Sequence, residues 1–101
     1  MSLGASISRS DRVVALTGEL SFGTVVGLLE RSRPLFRDAS AGVCVDLSGV
    51  TRADSAGLSL LLEWMRLARD EGCTIEFANL PEQMWSIART CGLDRVLPVV
   101  V

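Results

Sequence analysis

Histidine is absent from this chain of 101 residues, so the commonest general base and the commonest metal ligand of proteins are both missing. Lysine is absent as well, and every positive charge is an arginine. A serine nucleophile would therefore lack the base that usually activates it. The glycine-rich patterns that hold phosphates in nucleotide-binding enzymes are also missing. These absences predict a protein that is not an enzyme, and we assign no catalytic residue.

Cysteine is scarce. Cys44, Cys73 and Cys91 are odd in number and far apart, and no two of them form a CxxC pair. The chain therefore indicates neither a zinc site nor a disulfide framework, and we expect no metal ion and no cofactor. Cys44 and Cys91 fall at apolar positions of their predicted elements, so we expect buried free thiols there. Free thiols fit a reducing compartment.

Clusters of basic residues and long apolar runs are missing too. The net charge of -2 argues against nucleic acid as the main partner. No apolar run approaches the ~20 residues that span a bilayer, and the first residues lack the pattern of a signal peptide. We therefore expect a cytoplasmic protein without direct membrane insertion, which reaches a membrane only through a partner.

The chain does contain enough apolar sequence for a core, with 49% apolar and 22% charged residues. At this length we expect one domain over residues 1–101. Strand and helix patterns alternate after an opening hairpin. The predicted strands cover residues 5–9, 13–20, 43–47, 74–78 and 96–97, and the predicted helices cover residues 24–36, 55–70 and 81–91.

This order of elements predicts an α/β fold. Right-handed crossovers between successive strands imply a mixed, mostly parallel sheet of four or five strands, with about three helices packed chiefly on one face. Thr24 is the predicted N-cap of the first helix, and Pro34 should kink or end that helix near Arg33. Gly72 and Gly92 should end the second and third helices.

The stretch over residues 43–67 has the pattern of a strand, a short polar turn and a long apolar helix. The turn brings Asp54 and Ser55 to the start of the helix, where Ser55 is the predicted N-cap. Free N–H groups at a helix start also favour negative charge. The Ser55 hydroxyl therefore either caps the helix or, once phosphorylated, presents a dianion on the surface. Asp46, at the end of the predicted strand, either orients the turn through hydrogen bonds or is solvated.

The second helix carries more apolar surface than packing on a sheet requires. Its apolar sector spans roughly 240°, against the ~100° stripe of an ordinary surface helix. Two stripes result, one formed by Leu58, Leu61, Leu62, Met65 and Ala68 and the other by Leu60, Trp64 and Leu67. Either neighbouring helices cover the second stripe, or part of it, with Trp64, forms a partner interface. Trp85 on the third helix is likewise either a binding hot spot or a side chain packed at the edge of the core.

Residues 45–58, Val-Asp-Leu-Ser-Gly-Val-Thr-Arg-Ala-Asp-Ser-Ala-Gly-Leu, resemble the signature of STAS domains, the sulphate-transporter and anti-sigma-factor-antagonist family. The pattern of that family is a strand ending in Asp-Leu-Ser, followed by Asp-Ser/Thr-x-Gly at the start of a helix. The resemblance implies a STAS-like fold and a non-catalytic, protein-binding role. Ser55 matches the position that a partner kinase phosphorylates in anti-sigma-factor antagonists.

Within the family the chain looks most like the STAS subunit of Mla-type ABC transporters, through Leu-Thr-Gly-Glu-Leu in the second strand and Gly-Leu-Ser-Leu-Leu-Leu in the second helix. This resemblance implies docking on the transporter ATPase and, through it, on a membrane permease, peripheral to the inner membrane. Such a transporter moves phospholipid and maintains the lipid asymmetry of the outer membrane.

The alternative is a free anti-sigma-factor antagonist that a partner Ser kinase switches at Ser55. A small-ligand or nucleotide-binding module is a third interpretation. For either protein-binding role we expect the partner to contact the turn around Ser55 and the flanks of the second and third helices. The expected partner-binding residues are Thr51, Arg52, Asp54, Ser55, Ser59, Leu60, Trp64 and Trp85.

Overall fold

The computed structural model describes residues 4–37 and 42–100. The strands and helices follow one another along these residues as β1 (Ala5–Ser10), β2 (Val13–Leu20), α1 (Phe22–Arg37), β3 (Val43–Ala53), α2 (Ser55–Asp70), β4 (Ile75–Ala78), α3 (Glu82–Thr90) and β5 (Val99–Val100). An opening hairpin is thus followed by alternating helices and strands, which confirms the predicted α/β order.

The sheet has the strand order β1-β2-β3-β4-β5. β1 pairs antiparallel with β2, and each later pair of neighbours is parallel, as predicted. Each crossover advances by one strand in the same direction. Because such crossovers are right-handed, the three helices lie on one face of the sheet. β3 is the central strand, so the start of α2 lies in the middle of the sheet edge that the parallel strands reach at their carboxyl ends.

The core fills the layer between the helices and the sheet. Along β3 the side chains of Val43, Val45 and Leu47 are buried, whereas Cys44 and Asp46 lie on the opposite face and are half-buried. Fully buried side chains meet across the layer, namely Val14, Leu16, Val45 and Phe77 from the strands and Leu28, Leu61, Trp64 and Met84 from the helices. This contiguous apolar core holds all three helices against the sheet.

β3 is longer than predicted, because residues 48–53, which we interpreted as part of a turn, continue the strand. Their pairing with β2 runs on through Thr17 opposite Gly49 and Leu20 opposite Ala53, with shifts of register on the way. A Cβ atom on Gly49 would lie 2.7 Å from Thr17 Cγ2, so glycine permits the close approach of the two strands here. The polar composition of the segment favours a turn, and pairing with a neighbouring strand overrides it.

α1 begins at Phe22, before the predicted N-cap Thr24, and continues through Pro34. Thr24 is therefore a first-turn residue, and its Oγ1 accepts a hydrogen bond from the backbone N–H of Ser21 at 3.0 Å. This is the reciprocal half of a capping box. Pro34 does not end the helix; it removes the hydrogen bond that its missing N–H would donate to the Glu30 carbonyl.

The ends of α2 and α3 are confirmed, since Gly72 and Gly92 follow them with φ of 72° and 73°, a conformation that glycine adopts readily. The last strand is β5 and not residues 96–97. Those two residues lie in a turn whose backbone N–H groups bond the Leu93 carbonyl. Leu97 is buried in the core, which explains why this turn contains an apolar residue. An apolar pair of this kind has the same sequence pattern as a short strand, and the prediction was wrong for that reason.

The three cysteines are free thiols; Cys73 is buried, Cys44 is half-buried and Cys91 is exposed. The expectation of a buried thiol is therefore wrong for Cys91. This residue is the C-cap of α3, where the chain leaves the core. Burial raises the pKa of the Cys44 and Cys73 thiols, which disfavours the reactive thiolate form.

Candidate partner-binding site

Asp54, and not Ser55, caps α2. Its Oδ1 accepts a hydrogen bond from the Ala56 backbone N–H at 2.8 Å, and its backbone is extended as an N-cap requires. The predicted capping role of Ser55 is wrong because the preceding carboxylate already satisfies that donor. Ser55 is the first residue of the helix and is exposed. Its hydroxyl forms no hydrogen bond with any residue that the structure describes.

The strand-to-helix corner, residues 53–55, is hydrogen-bonded to neighbouring elements on two sides. The backbone N–H of Asp54 bonds the Leu20 carbonyl at 3.1 Å, and the Ala53 N–H donates to Gln83 Oε1 of α3 at 3.0 Å. A Cβ atom on Gly57 would lie 2.9 Å from Leu20 Cβ, so glycine lets the first turn of α2 pack closely on β2. The backbone that carries the Ser55 side chain is therefore held in place at the surface.

Asp46 lies further back along β3, on the face of the sheet opposite the helices. Its Oδ1 accepts hydrogen bonds from the Ser48 backbone N–H and from Asn79 Nδ2, both at 2.9 Å. These bonds, the one from Asn79 foremost, lower the pKa of the Asp46 carboxyl. Asp46 therefore accepts hydrogen bonds, as one of the two interpretations states, but it does not orient a turn, because β3 continues past it to Ala53. The carboxylate joins β3 to the loop after β4.

We expect Asp46→Asn to lower the free energy of unfolding by about 1 kcal/mol at pH 7, because hydrogen bonds to a charged acceptor are stronger than those to an amide. Since the pKa of Asp46 is lower in the folded chain than its unfolded value of about 3.9, its contribution is present above about pH 4 and is lost as the pH falls through the folded pKa. Urea denaturation at pH 7 and at about pH 3 measures both values. The exposed Glu71→Gln serves as control, and an Asp46→Asn deficit that is equal at both pH values would contradict the assignment.

Trp64 and Leu60 are not exposed on the surface of α2. Trp64 is 0% exposed and Leu60 is 3% exposed, and both are covered by α1. The ring of Trp64 lies 6.2 Å from that of Phe36, centroid to centroid. The second apolar stripe of α2 is therefore mainly a helix–helix contact, which corrects the predicted partner-binding role of Trp64. Leu60 is nearly covered as well and only lines a groove between the two helices. Neighbouring helices cover the stripe, as the alternative interpretation holds.

An exposed apolar surface exists one element away, at the start of α1. Phe22 is 79% exposed and Val26 is 65% exposed. Together with α2 they border an open groove of about 320 Å³, which is lined by Phe22, Val25, Val26, Leu29, Ala56, Ser59, Leu60 and Glu63. We call this feature the α1/α2 groove. Its lining is almost wholly apolar although it is open to solvent.

This groove is not predicted from the sequence because the predicted helix begins at residue 24 and leaves Phe22 outside it, whereas α1 begins at Phe22. Counted from the true start of α1, residues 22, 26 and 29 recur at the spacing of one helix face. That face is adjacent to the half-buried Val25, which also lines the groove, and to the fully buried Leu28. The sequence signal for the groove is an apolar sector on α1 that is wider than packing on the sheet can cover. The second helix, α2, shows the same signal.

The predicted partner-binding residues are brought together only in part. Thr51, Arg52, Asp54 and Ser55 are all exposed at the corner before α2. Ser59 connects the corner to the α1/α2 groove, since it lines the groove and its Oγ donates to the Ser55 carbonyl at 3.2 Å. Trp85, in contrast, is half-buried on α3, packs against the core and is not part of the groove lining.

Glu63, the charged residue that lines the α1/α2 groove, is paired with Arg66. Arg66 bonds both Glu63 and Asp70 on the exposed side of α2, and its hydrogen bond to Glu63 lowers the pKa of that carboxyl. Such surface pairs contribute little to stability.

Within residues 4–37 and 42–100 no group of acidic or cysteine side chains is arranged to hold a metal ion. Among the helices of the same residues, none combines the length and the apolar character needed to cross a membrane.

Comparison with known proteins agrees with this architecture. A family model described as "Mlab, STAS domain" matches residues 3–100. The intermembrane phospholipid transport system binding protein MlaB of Escherichia coli K12 is 32% identical over 100 residues, covering 97% of this chain and 99% of that protein.

Two solved structures share the fold. A chain of the Acinetobacter MlaFEDB complex in an ATP-bound conformation superposes with a TM-score of 0.77 at 22% identity, covering 89% of this chain and 95% of that one. The Bacillus cell fate determinant SpoIIAA in its phosphorylated form superposes with a TM-score of 0.68 at 20% identity, covering 97% of this chain and 92% of that one.

Proposed function

Because the chain belongs to the MlaB-type STAS-domain family, we propose that it is a non-catalytic subunit of a phospholipid ABC transporter that maintains outer-membrane lipid asymmetry. In this role it docks on the cytoplasmic ATPase and supports its assembly or activity. It lies at the inner membrane only through that partner, which in turn contacts the permease. The resemblance of sequence over nearly the whole chain supports the transporter, and the surface of the molecule supports the docking.

The observation that carries the docking role is the α1/α2 groove beside Ser55. A side chain as exposed as Phe22 costs free energy in water, and apolar clusters rimmed by polar residues mark protein interfaces. The corner residues Arg52, Asp54 and Ser55 supply a polar rim next to the apolar lining, which is the usual composition of such interfaces. The ATPase is therefore expected to bury Phe22 and Val26 and to contact Ser55 at the edge.

Co-expression with the ATPase and permease of the same transporter tests this role. The chain is expected to co-purify with the ATPase in detergent and to bind the isolated ATPase in solution. It should also increase the amount of assembled transporter. Failure to bind the ATPase, together with binding of an anti-sigma-factor kinase, would favour the second candidate function below.

Ser55→Glu is expected to weaken binding of the ATPase by about tenfold, since it brings a charge without a partner to the rim of an apolar interface. Ser86→Glu is the matched control, because Ser86 is an exposed helical serine on α3, away from the groove. Calorimetric titration of both variants with the ATPase measures the difference. Equal affinities for the two variants would remove Ser55 from the interface.

The second candidate is an anti-sigma-factor antagonist, favoured by the exposed Ser55 hydroxyl that no described residue bonds. Phosphorylation there would set a dianion at the start of α2, where free N–H groups favour it and the neighbouring Asp54 opposes it. Incubation with a cognate kinase and ATP should then give a phosphoprotein, and Ser55→Ala should abolish it. Neighbouring genes for an ATPase and a permease, or for a sigma factor and a kinase, separate the two candidates.

A further inference from the structure

Next to the α1/α2 groove, one fully buried polar contact joins the two helices. The Nε1–H of Trp64 donates a hydrogen bond to Ser32 Oγ at 2.7 Å. The Ser32 hydroxyl in turn donates to the Leu29 carbonyl at 2.7 Å. Neither side chain has any exposed surface. Ser32 is thus a polar residue set inside an otherwise apolar contact between helices.

This contact lies one helical turn beyond the groove on both helices. Leu29, whose carbonyl receives the Ser32 hydroxyl, lines the groove on α1, and Leu60, one turn before Trp64, lines it on α2. Hydrogen bonds have narrow limits of length and angle, whereas apolar contacts tolerate sliding. The spacing and axial register of the two groove walls are therefore set by the Trp64–Ser32 bond more closely than by the leucines around it.

α1 is locally weakened at the same place. Pro34 leaves the Glu30 carbonyl without its helical donor, and a serine that bonds the carbonyl of its own preceding turn tends to bend a helix. Residues 22–29, the part of α1 that borders the groove, are thus joined to the rest of the helix through a stretch with fewer backbone hydrogen bonds. An attachment from outside the helix is needed to fix its direction, and Trp64 provides one.

We propose that Ser32 is a positioning residue for the α1/α2 groove. Through Trp64 it fixes the distance between α1 and α2, and with it the width of the groove that receives an apolar segment of the ATPase. This role rests on the proposed docking function, because it requires the groove to be the docking surface. Ser32 itself is buried and touches no partner.

A double substitution separates positioning from mere stabilisation. Ser32→Ala leaves the buried indole N–H without an acceptor, so both the melting temperature and the affinity for the ATPase should fall. Adding Trp64→Phe removes the stranded donor, so the melting temperature should recover in part. Recovery is incomplete because the smaller ring leaves a cavity in the core. The double variant should still bind the ATPase about tenfold more weakly than the parent. Met84→Val on α3 is the control, which should melt earlier and bind normally.

Amide hydrogen exchange on the free protein gives an independent measurement. Residues 22–29 should exchange faster in the double variant, while α3 should not change. A double variant with parental affinity and unchanged exchange over residues 22–29 would overturn the positioning role. Phe22→Asp distinguishes the two proposals: if that variant binds the ATPase normally, the docking surface is wrong, whereas if it loses binding and the double variant keeps it, only the role of Ser32 fails.

Discussion

Trp64→Ala is expected to lower the free energy of unfolding by about 3–5 kcal/mol, the range for removing a large aromatic side chain from a core. Trp64 is 0% exposed and packs against Phe36. Its loss leaves a cavity between α1 and α2 and leaves the Ser32 hydroxyl without its buried donor. For a domain with a total stability of roughly 5–15 kcal/mol, this loss is a large share of the total.

Urea denaturation followed by far-UV circular dichroism measures this loss. Trp85→Ala is the matched control, because it removes the same side chain from a half-buried position on α3 and should cost less. The result that would contradict the structure is a Trp64→Ala protein with parental stability and weakened ATPase binding. That outcome would restore the interpretation of Trp64 as an interface residue.

Phe22→Asp is expected to reduce the affinity for the ATPase about a hundredfold, the loss that follows removal of a central apolar anchor from an interface. A carboxylate would be buried against an apolar partner without a counter-charge. Because Phe22 is 79% exposed in the free protein, its replacement should change the free energy of unfolding by no more than about 0.5 kcal/mol. Phe22→Asp should therefore weaken binding of the ATPase while leaving the stability of the free protein nearly unchanged.

Val96→Asp is the control for this variant, because it places the same charge at an exposed valine (53%) in the turn before β5. Calorimetric titration with the ATPase should show parental binding for it. Val26→Asp, in the same groove as Phe22, should repeat the loss. Parental affinity in both groove variants would show that the ATPase binds elsewhere on the molecule.

The order of elements and the family could be predicted because they depend on local signals. Gly72 and Gly92 end their helices through a backbone conformation that glycine favours, and this appears directly in the sequence. The corner at Asp54 and Ser55 was placed correctly for the same reason. The identity of the capping residue was not, since both residue types are good caps and their relative position decided between them.

The partner surface could not be predicted in the same way. Hydrophobic periodicity measures how much apolar surface a helix has, but not which neighbour covers it. The apolar excess of α2 was real, and α1 covers it at Leu60 and Trp64. The surface left exposed belongs to α1, where an error of one half-turn in the helix start concealed Phe22. The burial of Ser32 could not be predicted either, because a serine is expected on the polar face of a helix. Only the position of the Trp64 indole explains why Ser32 is buried.

The strand order has a consequence for how the chain folds. Every strand pairs only with the strands before and after it in the chain. Each pairing therefore closes a loop of modest length, and no pair joins strands that are distant in sequence. Loop closure of this kind costs little entropy, which favours rapid folding.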